Sequence, residues 1–237
     1  MMTSLWLGGA PAAGVAWFSW AVRGRTSQVF APSVYRGARD RKSVALTFDD
    51  GPSESTARLL EVLAREGVKA TFFCCGRNVR RLPEVARAAA SAGHEIGNHT
   101  ENHARLWLRS AAFVREEVMG GQKTIEDVCG VRPRWFRAPY GVRWPGLAAA
   151  QREAGLTGVM WTMLGRDWKL REEAIEKRLL SGARGGAIIC LHDGRGVVPD
   201  PDITQTLEAV RRVIPALRDR GFQFETVTQI LCPTKTT

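Results

Sequence analysis

The feature that most constrains this chain is a sustained alternation of short apolar runs with helical patterns across residues 43–231. Strands are expected at 43–48, 70–74, 95–98, 134–136, 158–163, 187–191 and 222–225. Helices are expected at 55–66, 83–92, 111–128, 145–154, 171–180 and 203–220, with a final turn at 227–231. Gly93, Gly155 and Gly221 stand where three of those helices should stop. About seven βα units at such spacings suit parallel strands, either in a barrel or in an open doubly wound sheet. Neither a Gly-rich dinucleotide fingerprint nor a P-loop occurs, which disfavours a nucleotide-binding open sheet.

Parallel α/β folds carry their sites at the C-terminal ends of strands, and five polar clusters fall there. Asp49-Asp50 follow the first strand, His99-Thr100-Glu101-Asn102-His103 the third, Arg137-Ala138-Pro139-Tyr140 the fourth, Asp167-Trp168 the fifth and His192-Asp193 the sixth. Two adjacent carboxylates at a buried strand end repel and are desolvated, so a cation nearby would offset the cost. Alone, Asp-Gly would read as an ordinary turn. Three of the four histidines lie in these clusters, and the fourth, His94, reads as a helix-end residue. His99 and His103 stand four apart, and one helical turn would put both imidazoles on one face. Thr100 follows His99 where a zincin helix needs Glu. With Asp50 the two histidines form a two-His, one-carboxylate set that leaves coordination positions open. Zinc is the default ion for it, and manganese, cobalt or iron would also be accepted. If Asp50 binds the metal, Asp49 is free to take a proton, and Arg137 could pair with it and keep it ionised. His192 could give a proton to a leaving group, with Asp167 setting its tautomer.

In these five motifs the chain resembles the polysaccharide deacetylases with a NodB-homology domain, carbohydrate esterase family 4, over nearly all of residues 43–231. The resemblance implies a distorted, incomplete (β/α)7 barrel. It implies a metal-dependent hydrolase that removes N-acetyl groups from an amino-sugar polymer or oligomer and releases acetate. Asp50, His99 and His103 would be the metal ligands, Asp49 the base tethered by Arg137, and His192 the acid tuned by Asp167. The backbone N–H of Tyr140, next to Pro139, would help stabilise the oxyanion, and Trp168 and Leu191 would line a pocket for the acetyl methyl. The sequence departs from many members three positions before Asp167, where Leu164 replaces an acidic residue; that bears on which sugar is bound. An O-acetyl esterase, or a deformylase or deacetylase acting on a lipid-linked sugar, would use the same fold. A non-catalytic binding module is disfavoured because no motif residue is missing.

The remainder of the chain divides into an apolar N-terminal segment (1–26), a basic linker (27–42) and a short tail (232–237) around the catalytic domain (43–231). Residues 5–22 carry no charge, include Trp6, Trp17, Phe18 and Trp20, and are followed by Arg23 and Arg25. Their 18 residues sit near the lower limit for a membrane span, so association through them is expected. A wall-glycan substrate favours an extracytoplasmic, membrane-tethered enzyme. The basic residues after Val22 favour the cytoplasmic face instead, by the positive-inside rule. The net charge of +10 suits an anionic partner. No basic run with interleaved aromatics suggests nucleic acid, so the partner expected is an N-acetylated glycan met by a monomer. Five cysteines without CxxC spacing indicate neither a disulfide framework nor a zinc knuckle.

Overall fold

The computed structural model describes residues 9–232. The start of the apolar run, including Trp6, and the tail beyond Cys232 lie outside the described residues. The strands are β1 (Ser33–Val34), β2 (Ser43–Asp49), β3 (Thr71–Cys74), β4 (Glu95–Asn98), β5 (Trp135–Phe136), β6 (Thr157–Val159), β7 (Met163–Leu164), β8 (Ala187–His192) and β9 (Gln223–Phe224). The helices are α1 (Gly9–Arg23), α2 (Thr56–Arg65), α3 (Gly76–Arg81), α4 (Pro83–Ser91), α5 (Ala111–Cys129), α6 (Leu147–Ala154), α7 (Glu172–Gly182), α8 (Thr204–Asp219) and α9 (Val227–Leu231). The main strand order is β1-β6-β5-β4-β3-β2-β8-β7, with β9 also on β2. Every strand pairing in it is parallel.

The expected strand at 158–163 is two strands at opposite sides of the sheet, and this split shows how strongly the sheet curls. β6 pairs with β5 and β1, whereas β7 pairs, among the described residues, with β8 alone. Four peptide steps separate Val159 from Met163, a reach of at most about 14 Å. Within that reach Met160 N–H donates to Val34 O (2.7 Å) and Thr162 N–H to Ile188 O (3.0 Å). The two sides of the sheet therefore approach one another, as the incomplete barrel requires.

The period-2 alternation of strand side chains divides the core. Val44, Leu46 and Phe48 of β2 and Ala187, Ile189 and Leu191 of β8 face the helices, in a cluster with Leu59, Leu63, Leu207 and Ile214. Ala45 and Ile188 point the other way, with Phe73, Trp135 and Val159. Thr47, Asp49, Cys190 and His192 share that inner face by parity, and β2 and β8 are in register with Asp49 opposite His192.

The segment expected as a basic linker, residues 27–42, is instead built into the fold. Ser27, Ala31 and Ser33 are buried, and Ser33–Val34 pairs with β6. Buried Arg143 ties this segment down, donating to Ser27 O (2.6 Å), Ser33 Oγ (2.7 Å) and Gly24 O. A boundary between 26 and 27 thus cuts through packed structure, since Ala21 and Val22 are buried as well. The rest of α1 is exposed at Val15, Trp17, Phe18 and Trp20. Among the described residues, no helix is long and apolar enough to cross a membrane.

Candidate active site

Because all strands are parallel, the ends of β2, β4, β5 and β8 meet at one rim, and the polar clusters meet with them. They line a cleft of about 570 Å³ that includes Asp49, Asp50, His99, His103, Tyr140, Trp168 and His192. Asp50, Thr100, His103 and Tyr140 all have positive φ (74°, 69°, 54° and 59°). Non-glycine residues adopt that region at a cost, and such strain concentrates at functional sites.

His99 and His103 are not on a helical turn, as their spacing suggests; they lie on the loop after β4. The loop is held from below. Asn98 Oδ1 accepts the Thr100 N–H (2.8 Å) while Asn98 Nδ2 donates to Val118 O of α5 (2.9 Å). Buried Glu117 of α5 accepts from Asn102 N–H (3.0 Å) and from its side-chain amide (2.8 Å). Glu101 pairs with Arg80 and accepts from Thr124 Oγ1 (2.9 Å). Gly121 permits the close approach of α5, since a Cβ there would fall 2.7 Å from the Thr100 carbonyl carbon. Glu117 and Asn98 are support residues that carried no distinct sequence signal, since the buried face of α5 also holds Gln122 and Thr124.

Both imidazoles present Nε2 to one oxygen, Asp50 Oδ1, at 3.3 Å from His99 and 3.0 Å from His103. The other oxygen, Oδ2, accepts the Gly196 N–H at 2.8 Å. His99 Nδ1 lies 2.6 Å from Arg137 O. A carbonyl only accepts, so Nδ1 carries a proton, and Nε2 is the ring nitrogen turned toward Asp50. Two imidazole nitrogens and a carboxylate oxygen turned to one point, with His99 oriented through its other ring nitrogen, are a donor set that fits a divalent metal. The three ligand atoms lie within 4.8 Å of one another. Burial works against the charge on Asp50, yet hydrogen bonds from His103 and His99 hold its carboxyl well below the usual range.

Asp49 and Arg137 form the second group. Arg137 is fully buried, and its NH1 donates to Asp49 Oδ1 (2.6 Å) and Thr47 Oγ1 (2.7 Å). Its Nε donates to Val159 O (3.1 Å), and its Cζ lies 4.0 Å from the centre of the Phe73 ring. The third group is His192 with Asp167. Asp167 Oδ1 lies 2.9 Å from His192 Nδ1, and Oδ2 accepts from His192 N–H and Thr206 Oγ1, both at 2.8 Å. His192 Nδ1 is thereby engaged, which leaves Nε2 for the cleft. Burial disfavours a charged imidazole, but Asp167, with Asp50 and Asp49 beyond it, overcomes this and raises the His192 pKa to about 9. Burial likewise pushes Asp193 up to about 7. Gly51 is required beside it, because a Cβ at 51 would sit 2.0 Å from Asp193 Oδ2.

Not every expected pocket residue reaches the cleft. Arg137 and Asp167 are buried behind it and act through Asp49 and His192. Pro139 is buried, and Leu191 is fully buried on the helix-facing side of β8, one residue out of phase with Cys190 and His192. Leu164 and Trp161 line the wall in their place. Trp168 is half exposed with its ring edge-on to His192, centroids 5.0 Å apart. Arg23 and Arg195 also line the cleft and carried no sequence signal. His94, read as a helix-end residue, accepts the Ala70 N–H at 3.1 Å, away from the cleft.

Comparison with known proteins gives a consistent picture. A family model described as polysaccharide deacetylase matches residues 36–159. A chitooligosaccharide deacetylase of Bradyrhizobium sp. (strain ANU 289) is 37% identical over 205 residues, covering 83% of this chain and 94% of that protein. The solved structure of a peptidoglycan N-acetylglucosamine deacetylase bound to an N-hydroxybenzamide is similar with a TM-score of 0.80 and 28% identity, covering 93% of this chain and 99% of that one. A family 4 carbohydrate esterase pseudoenzyme from Bacillus anthracis is similar with a TM-score of 0.77 and 27% identity, covering 86% and 70%.

Proposed function

Since this chain belongs to the polysaccharide deacetylase family, we propose that its cleft hydrolyses the N-acetyl group of an amino-sugar polymer or oligomer, releasing acetate and a free amine. The fold is shared with a pseudoenzyme, so the fold alone does not decide activity. The observation that carries the reading is the convergence of three groups on one cleft: Asp50–His99–His103, Asp49–Arg137 and His192–Asp167. The three groups are complete within one chain, so the site needs no residue from a second subunit.

Asp50, His99 and His103 would hold a divalent ion, with zinc the first candidate. Such an ion, when bound, supplies Lewis acidity to the acetamide carbonyl. Asp49, whose charge Arg137 offsets, takes a proton from the attacking water. The Tyr140 backbone N–H assists the developing oxyanion. As the C–N bond breaks, His192 Nε2 gives its proton to the sugar nitrogen. Trp161, Leu164 and Trp168 frame the acetyl group and sugar ring. The test is acetate release from acetylated chito-oligomers and peptidoglycan fragments, beside matched O-acetyl and N-formyl sugars. Turnover confined to the ester or the formamide would overturn the N-deacetylase reading.

The pH dependence has a definite sign. His192 keeps its proton as pH rises until its own pKa is passed, so kcat/KM falls on the alkaline side as that proton is lost. A cation at Asp50 removes one supporting charge, so the limb of the metal-loaded enzyme lies below 9. Asp167→Asn removes the nearest supporting charge while burial persists, and should move the alkaline limb to lower pH. An unmoved limb in a pH–rate profile would refute the assignment of acid and partner.

We also propose that the enzyme is tethered to a membrane through residues 5–22, with the domain outside the cytoplasm. The exposed Trp17, Phe18 and Trp20 of α1 support attachment. Protease added to intact cells should remove the domain, and protection until lysis would place it on the cytoplasmic face.

A further inference from the structure

The catalytic cleft does not end at Trp161 and Leu164. A second cleft of about 380 Å³ shares these two residues and continues past Thr162 to Arg25, Arg178 and Ser181. Its lining includes two arginines and no carboxylate. The catalytic cleft adds Arg23 and Arg195 at its rim. Among the described residues, no carboxylate lies within 4.0 Å of any of these four, whereas Arg80, Arg81, Arg115, Arg137 and Arg218 elsewhere are all paired.

The two guanidinium groups of the second cleft are oriented by backbone carbonyls, which leave their charge intact. Arg178 Nε donates to Leu164 O (2.7 Å), which leaves both terminal nitrogens free to present a fork. Arg25 NH1 donates to Thr162 O (2.8 Å), and its NH2 remains. A planar fork fixed in this way matches a carboxylate or phosphate, and it binds with less ordering cost than a mobile side chain. Trp161 stands between the two clefts, where an indole face can carry a sugar ring.

We propose that the second cleft is a subsite for an anionic substituent on the sugar next to the acetamido sugar, held by Arg25 and Arg178, so that the enzyme prefers an acidic N-acetylated glycan to a neutral one. This rests on the deacetylase reading for the placement of the acetamido sugar. It also explains why the N-terminal segment is tied down by buried Arg143: that anchorage brings Arg23 and Arg25 to the groove.

The test compares three oligosaccharides of one length: one with carboxylates on alternate residues, the same molecule with its carboxyls reduced to alcohols, and a chito-oligomer carrying a 6-phosphate. Calorimetry on wild type should show a charged form bound about tenfold more tightly than the reduced one, the worth of one or two charge-assisted hydrogen bonds. The advantage should shrink as salt rises. In Arg25→Gln/Arg178→Gln it should vanish, with the loss in KM and not in kcat. Both side chains are exposed, so the variant should fold. Tighter binding of either charged form supports the subsite and names its ligand. Equal binding of all three by wild type, or an advantage that survives in the double variant, overturns it. Acetate release without charge preference would remove the subsite and leave the deacetylase standing. Charge preference without acetate release would do the reverse.

Discussion

Asp49→Asn is expected to keep the fold and the metal and to lose turnover by roughly 10²-fold or more, the usual worth of a positioned base. The substitution retains an oxygen for Arg137 but removes the charge that compensates it. Breaking a buried ion pair can cost about 3–5 kcal/mol, because one charge is left alone. Here Arg137 retains Thr47 Oγ1, the carbonyls of Val159 and Met160, and the Phe73 ring. The melting temperature should therefore fall while the native state persists. His192→Ala should lose comparably on an N-acetyl sugar and less on an O-acetyl sugar, since an alkoxide leaves without full protonation far more readily than an amine. Initial rates on matched amide and ester substrates, with metal content and thermal melts alongside, check both. Wild-type rates in both variants would show that the two groups are structural.

The elements that could be read in advance are those whose signal is local. A run such as 43–48 or 187–191 is apolar and stops at a polar cluster, and helices such as α5 and α8 repeat their apolar positions over several turns. Parallel strands then force every cluster to one rim, so the meeting of Asp49, Asp50, His99, His103 and His192 followed from order along the chain. What escaped was non-local. β1 is two residues long, too short for any periodicity, and exists because Ser33 and Val34 pair with Gly158 and Val159. Arg143 looks like a surface arginine until Ser27 and Ser33, over a hundred positions away, are found against it. The His99/His103 spacing pointed to the right pair through the wrong geometry: a strained loop clamped by Asn98 and Glu117 does the work assigned to a helical turn. The family resemblance implies Leu191 in the pocket, but it directly precedes His192 on β8, where neighbouring residues face opposite sides, and it lies in the helix-facing cluster.

The metal ligands give the largest expected loss. Chelation should abolish acetate release, and a divalent transition metal should restore it. Asp50→Ala or His99→Ala should abolish both activity and stoichiometric metal at equilibrium, because two remaining ligands rarely hold zinc tightly. The two variants should also differ from each other. His99→Ala removes one nitrogen and the bond to Arg137 O, yet leaves Asp50 facing His103 at 3.0 Å. Asp50→Ala removes the only carboxylate of the set and leaves both imidazoles without a counter-charge, so it should bind metal more weakly still. Elemental analysis after dialysis against limiting zinc separates them, and the order should be wild type, then His99→Ala, then Asp50→Ala. Because metal that binds only the folded state stabilises it by mass action, added zinc should raise the melting temperature of the wild type most and of Asp50→Ala least. Full activity in metal-free protein, or a zinc-induced shift undiminished in Asp50→Ala, would mean that the three side chains serve only to brace the loop after β4.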